Sequence, residues 1–248
     1  MSALLTIDDL VKSFGGVQAA DHVSLSIDKG EIHALIGPNG AGKTTLINLL
    51  CGELQPDHGM IALEGIALNG LSVAERARKG LGRTFQITQL LGETSVRETV
   101  TLAIRARENK GFQLFAPAID DALMQAADAT LDAVGWTSFR DGRASELSHG
   151  EQKLLELALA LALQPKILLL DEPMAGLGPV ESARMVETLA GLRGQTTMLL
   201  VEHDMDAVFA LADRISVLVY GRIIATGTPD EIRANEAVRI AYLGEGDA

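Results

Sequence analysis

A glycine-rich run near the N-terminus constrains the fold of this chain more than any other feature. The nine residues fit the pattern G-x-x-x-x-G-K-[ST] and are Gly37, Pro38, Asn39, Gly40, Ala41, Gly42, Lys43, Thr44 and Thr45. An apolar, strand-like run (32–36) precedes them and a helical stretch to about Leu50 follows, which is the context that a phosphate-binding loop requires. In such a loop, backbone N–H groups and the helix N-terminus face phosphate oxygens. The sequence therefore predicts a site for the phosphates of a nucleotide with Mg²⁺, with Lys43 on the β- and γ-phosphates and the Thr44 hydroxyl on Mg²⁺.

A second motif places two carboxylates after a buried strand. The apolar run 167–170 ends in Asp171 and Glu172. Ligands of parallel sheets bind at the carboxyl ends of the strands, so both acids are expected to face the phosphate loop. Asp171 suits a water-mediated hold on Mg²⁺, and Glu172 is placed to polarise an attacking water. The alternatives are a chance glycine turn and a strand that ends in solvated acids.

Composition narrows the class of protein. Hydrophobic residues make up 47% of the chain and aromatic residues 4%, which is typical of helices packed on a sheet. The net charge of −12 disfavours nucleic acid as the main partner. A single cysteine, Cys51, excludes an internal disulfide and indicates a reducing compartment. The most apolar stretch, 154–170, is interrupted by polar residues and Pro165, so no membrane-spanning helix is expected.

The order of elements predicts an α/β fold. Strand-like runs at 4–10, 23–27 and 32–36 open the chain, and short strands alternate with helices after residue 165, which indicates a mainly parallel sheet. Between them lies a helical block. We expect one domain over 1–248, with a helical subdomain at about 88–165 inserted in the α/β core.

A third motif narrows the prediction from phosphate-loop proteins in general to one family. The run 147–152, L-S-H-G-E-Q, resembles the signature motif of ABC ATPases, L-S-G-G-Q. Ser148 and the backbone at Gly150 begin a helix and predict a second anion-binding terminus. A serine followed three residues later by glutamate is also an ordinary helix start. The series phosphate loop, signature, acidic strand and His203 carries the resemblance.

The resemblance covers almost the whole chain and implies further roles. It implies the ABC ATPase fold, with an N-terminal antiparallel β part. Gln86 looks like the glutamine that senses Mg²⁺ and links to the membrane subunit, and His203 like the histidine that contacts the γ-phosphate. Phe14 matches the aromatic that stacks on adenine. Gln152 completes the signature with Ser148 and Gly150.

Two departures from the family pattern point to one of its branches. His149 replaces the first signature glycine, with Glu151 before Gln152, and Gly178 replaces an aspartate that follows the acidic pair in many relatives. Gly178 cannot make the contacts ascribed to that carboxylate. Both variations, and the tail 238–245, resemble the importers of hydrophobic and branched-chain amino acids.

The function implied is an ATPase subunit of an importer, peripheral on the cytoplasmic face of the cell membrane. One phosphate loop and one signature imply a head-to-tail pair with an identical or homologous ATP-binding subunit. Permease subunits, and indirectly a solute-binding protein, complete the expected partners. Urea, amides or aromatic acids remain alternative solutes, and an exporter ATPase or a soluble ABC protein acting on nucleic acid or ribosomes are alternative classes.

Overall fold

The protein consists of two compact units in the computed structural model, which describes residues 3–84, 93–107 and 121–243. The first unit takes in residues 1–81, 166–172 and 193–248, and the second takes in 82–165 and 173–192. The second unit thus covers the range for which the sequence predicts an inserted helical subdomain, and it also includes the helix after the acidic pair.

The first unit is built on two sheets. Its strands are β1 (Ala3–Phe14), β2 (Val17–Asp28), β3 (Ile32–Ile36), β4 (His58–Leu63), β5 (Ile66–Ala67), β6 (Leu81–Arg83, which crosses into the second unit), β7 (Ile167–Asp171), β8 (Thr197–Val201), β9 (Arg214–Val219) and β10 (Arg222–Gly227). Its helices are α1 (Lys43–Cys51), α2 (Val73–Lys79), α7 (Met205–Leu211), α8 (Pro229–Ala234) and α9 (Glu236–Leu243).

The larger sheet confirms the predicted α/β core. Its strand order is β10-β9-β3-β8-β7-β6. Strands β3, β7, β8 and β9 run parallel, while β10 returns antiparallel to β9 through a tight hairpin. Strands β3 and β8 are buried along their whole length, as expected for parallel strands covered on both faces. Because β3 and β7 are parallel to β8, the phosphate loop after β3 and the acids at the end of β7 lie at the same edge of the sheet.

The smaller sheet is antiparallel, in the order β2-β1-β4-β5. Strands β1 and β2 are longer than the sequence pattern predicts, since they pair through a hairpin at Gly15 and Gly16 with several register shifts. Asp9 and His22 adopt positive φ angles of 51° and 55° at these irregularities. Bulges of this kind break the alternation of buried and exposed residues, which hides the full strand length from a reading of the sequence.

The helix α1 is held by the hydrophobic core of the first unit. Leu46, Ile47, Leu49 and Leu50 are all fully buried, and they belong to the same cluster as residues of β1, β2, β7 and β8. The phosphate loop is therefore fixed at both ends, by a buried strand before it and a buried helix after it.

The second unit is helical. It contains α3 (Val96–Arg107), α4 (Asp121–Ala133), a 3₁₀ turn (Ala144–Glu146), α5 (His149–Ala162) and α6 (Pro179–Gly191). A capping box precedes α3: Ser95 N–H donates to the Glu98 carboxylate and Glu98 N–H donates to the Ser95 hydroxyl. Among the described residues, none of the helices is both long and apolar enough to cross a bilayer.

Candidate nucleotide-binding site

The phosphate loop depends on two glycines that lie against neighbouring strands. A Cβ atom on Gly42 would lie 2.2 Å from the carbonyl oxygen of Ala19 in β2, and one on Gly37 would lie 2.0 Å from that of Leu218 in β9. Gly42 also has a φ of 106°, a backbone angle that residues other than glycine rarely adopt. These contacts leave no room for a side chain between the loop and strands β2 and β9.

The N-terminus of α1 is arranged for an anion. Gly42 supplies no side-chain cap, and no acidic residue lies in the first turn of α1. Lys43 is 6% exposed, and its ammonium donates to the carbonyl oxygens of Gly37 (2.6 Å) and Pro38 (3.0 Å). Burial lowers the pKa of Lys43, while the charges of Glu172 and Asp171 oppose that shift. Uncapped N–H groups and a buried cation together favour phosphate oxygens at this point.

The acidic pair adjoins this loop, as the sequence predicts. Asp171 is the last residue of β7 and pairs with Val201 of β8. Glu172 follows with a φ of 52°, and its N–H donates to the Val201 carbonyl oxygen at 2.9 Å. A glutamate in the left-handed region is strained, and such strain clusters at functional sites because the surrounding structure must enforce it.

The structure brings together Glu172 and His203, which the sequence predicts as separate site residues. The Nε2 atom of His203 lies 2.7 Å from Oε1 of Glu172. His203 follows β8, and its own N–H donates to the carboxylate of Glu202. Beside an ionised Glu172, His203 Nε2 donates, so the imidazole orients this carboxylate.

The oxygen donors near the loop fit Mg²⁺ and ATP. The uncapped N-terminus of α1 and the buried ammonium of Lys43 are the parts of this site that fit phosphate oxygens. Thr44 offers an exposed hydroxyl in the first turn of α1, and Asp171 offers a half-buried carboxylate at the end of β7. Hydroxyl and carboxylate oxygens suit Mg²⁺ when phosphates supply further ligands. The described residues contain no group of three His, Cys, Asp or Glu side chains placed to hold a metal by themselves.

Phe14 offers an aromatic surface for a base. It ends β1, it is 48% exposed, and Lys12 Nζ lies 5.6 Å from its ring centroid. An exposed ring with a cation over it has the properties needed to stack on a purine. Gln86, the remaining predicted contact to the nucleotide and Mg²⁺, lies outside the described residues.

The signature motif of the second unit begins α5 as predicted, and two of its own residues, Ser148 and Glu151, cap the N-terminus of that helix. Ser148 is the N-cap; its hydroxyl accepts from Glu151 N–H, and the Glu151 carboxylate accepts from Ser148 N–H at 2.9 Å. Glu151 also accepts from the hydroxyl of Ser138, and this bond, the largest cause, lowers the pKa of Glu151. Gln152 donates to the Leu147 carbonyl oxygen at 3.1 Å. Both interpretations of this segment therefore apply at once: it is a signature-like helix start and an ordinary capping box.

The glycines around the signature accommodate specific neighbours in the same unit. A Cβ atom on Gly150 would lie 2.6 Å from the Glu181 carboxylate, which also accepts from Gly178 N–H at 3.1 Å. A Cβ atom on Gly176 would lie 3.0 Å from Nε2 of His149. His149 therefore packs on the loop that contains the other departure from the family pattern.

Two contributors to the site were not predicted from the sequence. Glu181 links α5 to the start of α6; the signal for it was the helix start Gly178-Pro179 with glutamate at the third helical position. The hairpin after β9 supports the phosphate loop, since Gly221 N–H donates to the Ala41 carbonyl oxygen at 2.9 Å. This second contact joins residues 180 positions apart, and no local pattern reports it.

Comparison with known proteins identifies the family. The family model described as "ABC transporter" matches residues 20–175. The chain belongs to the ABC transporter family. A second model, described as "Branched-chain amino acid ATP-binding cassette transporter", matches residues 222–248. The predicted resemblance is confirmed, and with it the activity that the family shares, which is ATP hydrolysis coupled to transport.

Individual members of the ABC family match the chain along its length. LivG of Salmonella typhimurium, a high-affinity branched-chain amino acid transport ATP-binding protein, is 43% identical over 98% of each chain. The ADP conformation of MJ1267, an ATP-binding cassette of an ABC transporter, has a TM-score of 0.85 at 32% identity, covering 98% of this chain and 100% of its own. The dimeric structure of MJ0796, a bacterial ABC transporter cassette, has a TM-score of 0.75 at 24% identity, covering 91% and 98%, and supports the fold alone. These structures confirm the predicted ABC ATPase fold.

Proposed function

We propose that this ABC protein is the ATPase subunit of an importer for branched-chain amino acids. The assignment of this solute is supported by the 43% identity to LivG over 98% of both chains, together with the match of residues 222–248 to the branched-chain family model. The subunit acts at the cytoplasmic face of the cell membrane, with permease subunits that it drives and a solute-binding protein that supplies them.

Glu172 is the general base of hydrolysis in this proposal. Its carboxylate follows β7, and its negative charge opposes the lowering of the Lys43 pKa by burial. Its Oε1 atom lies 2.7 Å from His203 Nε2. The carboxylate accepts a proton from water as the water attacks the γ-phosphorus in line. His203 holds Glu172 in place and reaches the γ-phosphate, and Lys43 neutralises charge on the β- and γ-oxygens. Mg²⁺, held through Thr44 and Asp171, supplies further neutralisation of the phosphate charge.

The nucleotide site is completed by a second ATP-binding subunit. The chain has one phosphate loop and one signature, and in the head-to-tail pair Ser148, Gly150 and Gln152 serve the ATP bound at Lys43 of the partner. The partner is an identical copy or a homologous ATPase. Closing of the pair is transmitted through the Gln86 segment to the permease.

The chemical part of the proposal is tested with Glu172→Gln. The variant should bind Mg-ATP as the wild type does, while hydrolysis slows by about 10²–10⁴-fold, the usual effect of losing a general base. Glu187→Gln, an exposed glutamate of α6, is the matched control and should hydrolyse ATP at the wild-type rate. Retained turnover in Glu172→Gln would place water activation elsewhere.

The solute is tested in the assembled transporter. In proteoliposomes that contain the permease subunits and the solute-binding protein, leucine, isoleucine or valine should stimulate ATP hydrolysis by this subunit. Stimulation by urea, amides or aromatic acids in their place would contradict the branched-chain assignment and leave the ATPase assignment intact.

A further inference from the structure

A buried guanidinium lies behind the phosphate-binding helix. Arg76 belongs to α2, and its side chain is 0% exposed. Its Nη1 donates to the carbonyl oxygens of Leu49 (2.6 Å) and Leu50 (2.8 Å), and its Nε donates to that of Leu71 (3.2 Å). Leu49 and Leu50 form the last turn of α1, so Arg76 caps the helix whose first residue is Lys43.

The charge of Arg76 is not balanced by an acid. In the part of the chain that the structure describes, Arg76 forms no salt bridge, and its Nη2 has no hydrogen-bond partner. Burial lowers the pKa of the guanidinium, and the Cys51 thiol opposes that shift. An arginine remains protonated under such conditions, because its pKa begins far above neutrality. Among the described residues, this buried positive charge therefore faces the carbonyl oxygens of Leu49, Leu50 and Leu71 and the Cys51 thiol.

The helix end is shaped around this charge. Gly52 follows α1 with a φ of 86°, and a Cβ atom there would lie 2.8 Å from Arg76 Nε. Burying a charge with no acid beside it is costly, and a neutral amide side chain could donate to the same carbonyl oxygens without that cost. Capping of α1 alone therefore does not explain why this position carries a guanidinium.

We propose that Arg76 is a positioning and electrostatic residue of the nucleotide site, whose charge strengthens the hold of the phosphate loop on the nucleotide in proportion to nucleotide charge. Helix α1 has nine residues and is about 13 Å long, so Arg76 lies behind the loop on the line of the helix. Its charge neutralises the negative end of the helix dipole and adds to the positive potential at the other end. The intervening core is apolar and screens little. The inference rests on the proposed role of the loop as the phosphate site.

The test separates the effect of the Arg76 charge on nucleotide affinity from the effect of Arg76 packing. Arg76→Met removes the charge and keeps most of the volume, Arg76→Lys keeps the charge with fewer hydrogen bonds, and Arg78→Met, exposed on the same helix, is the matched control. Dissociation constants are measured by titration calorimetry for Mg-ATP and Mg-ADP, and by competition for adenosine. Circular dichroism establishes that each variant is folded, and Arg76→Gln replaces Arg76→Met if the latter does not fold.

The expected result is a graded loss. Arg76→Met should weaken binding by about threefold per unit of nucleotide charge, which is roughly tenfold for Mg-ATP, threefold for Mg-ADP and no change for adenosine. Arg76→Lys and Arg78→Met should stay within about twofold of the wild type. Equal weakening for all three ligands, equal weakening in Arg76→Lys and Arg76→Met, or no weakening in any variant would overturn the proposal. Failure of the wild type to bind Mg-ATP would instead contradict the proposed function.

Discussion

Two helix N-termini of this protein carry family motifs, and they are built in opposite ways. Helix α1 begins after Gly42 with no side-chain cap and no acid in its first turn, and it adds the buried Lys43. Helix α5 begins at a complete capping box, in which Ser148 and Glu151 satisfy each other's N–H groups. The first terminus leaves donors for a phosphate, whereas the second already holds a carboxylate of its own.

This contrast indicates which of the two helix N-termini, that of α1 or that of α5, we expect to bind nucleotide first. An anion at α1 meets uncapped N–H groups and a cation, so binding there needs no rearrangement within the first unit. An anion at α5 must share Ser148 with Glu151, whose lowered pKa keeps it charged. We therefore expect α5 to engage ATP only after the nucleotide is bound at α1 of a partner, when closure supplies the additional contacts.

The largest expected effect comes from adding one methyl group at each motif. In Gly42→Ala the new Cβ atom would meet the Ala19 carbonyl oxygen at 2.2 Å, on a backbone with positive φ. In Gly150→Ala it would meet the end of the flexible Glu181 side chain at 2.6 Å. Backbone cannot move aside as a side chain can, so Gly42→Ala should lower the free energy of unfolding by about 3 kcal/mol or more.

Gly150→Ala serves as the matched variant, with an expected loss of about 1 kcal/mol from the displaced Glu181 hydrogen bond. Denaturant unfolding with circular dichroism measures both values. Monomeric Gly150→Ala should bind Mg-ATP as the wild type does, because its motif belongs to the other subunit's site. Equal losses of stability in the two variants would contradict the contrast between the two termini.

Lys43→Ala tests whether α1 is the primary phosphate site. The ammonium is buried and donates to loop carbonyls, from which it can turn to the β- and γ-phosphates. Its loss should weaken Mg-ATP binding by about a hundredfold, the scale of one or two charge-assisted hydrogen bonds. Titration calorimetry on a variant shown to be folded measures this, and near-wild-type affinity would refute the role of the loop.

The smallest effect concerns the capping box of α5 and depends on pH. The Ser138 hydroxyl, and next the Ser148 N–H, lower the pKa of Glu151 below its ordinary value of 4.5. A depressed pKa in the folded state gives stability that is present above the unfolded pKa and is lost as pH falls through the folded one. At pH 7, Glu151→Gln should therefore be less stable than the wild type by about 1 kcal/mol.

That difference between Glu151→Gln and the wild type should shrink as pH falls below 4.5, where the unfolded carboxyl takes up its proton, and should be lost as pH falls through the lower pKa of the folded state. Urea unfolding curves of both proteins between pH 7 and about pH 2 measure it. A difference that stays constant over this range would mean that the charge of Glu151 does not stabilise the start of α5.

Much of the site was predictable because it is encoded locally. The phosphate loop, the acids after β7 and the start of α5 are short runs whose residue types dictate their backbone, and the structure has each in the predicted element. The contacts that give these runs their geometry are not local. Gly42 needs its hydrogen because of Ala19, Gly150 because of Glu181, and Glu172 is oriented by His203. Those partners are set by chain topology, which single-residue patterns do not report.

Arg76 shows the limit most clearly. Among the charged residues of α2 its type does not distinguish it, since Arg78 and Lys79 on the same helix are exposed. Its burial follows from the packing of α2 against the end of α1, and the sequence gives no sign of it beyond Gly52. The additional helix α9 was also not predicted, although Asn235 is a good N-cap residue whose side chain accepts from Val238 N–H.

Light scattering after size exclusion tests whether the signature of a second subunit completes the nucleotide site. With Mg-ATP, Glu172→Gln should shift from the 26.3 kDa chain mass to twice that value, and it should stay monomeric without nucleotide. Adding the substitution Ser148→Arg at the exposed signature serine should abolish the shift, while Ser145→Arg, exposed outside the motif, should preserve it. A protein that stays monomeric with Mg-ATP, or a dimer that tolerates Ser148→Arg, would contradict the account.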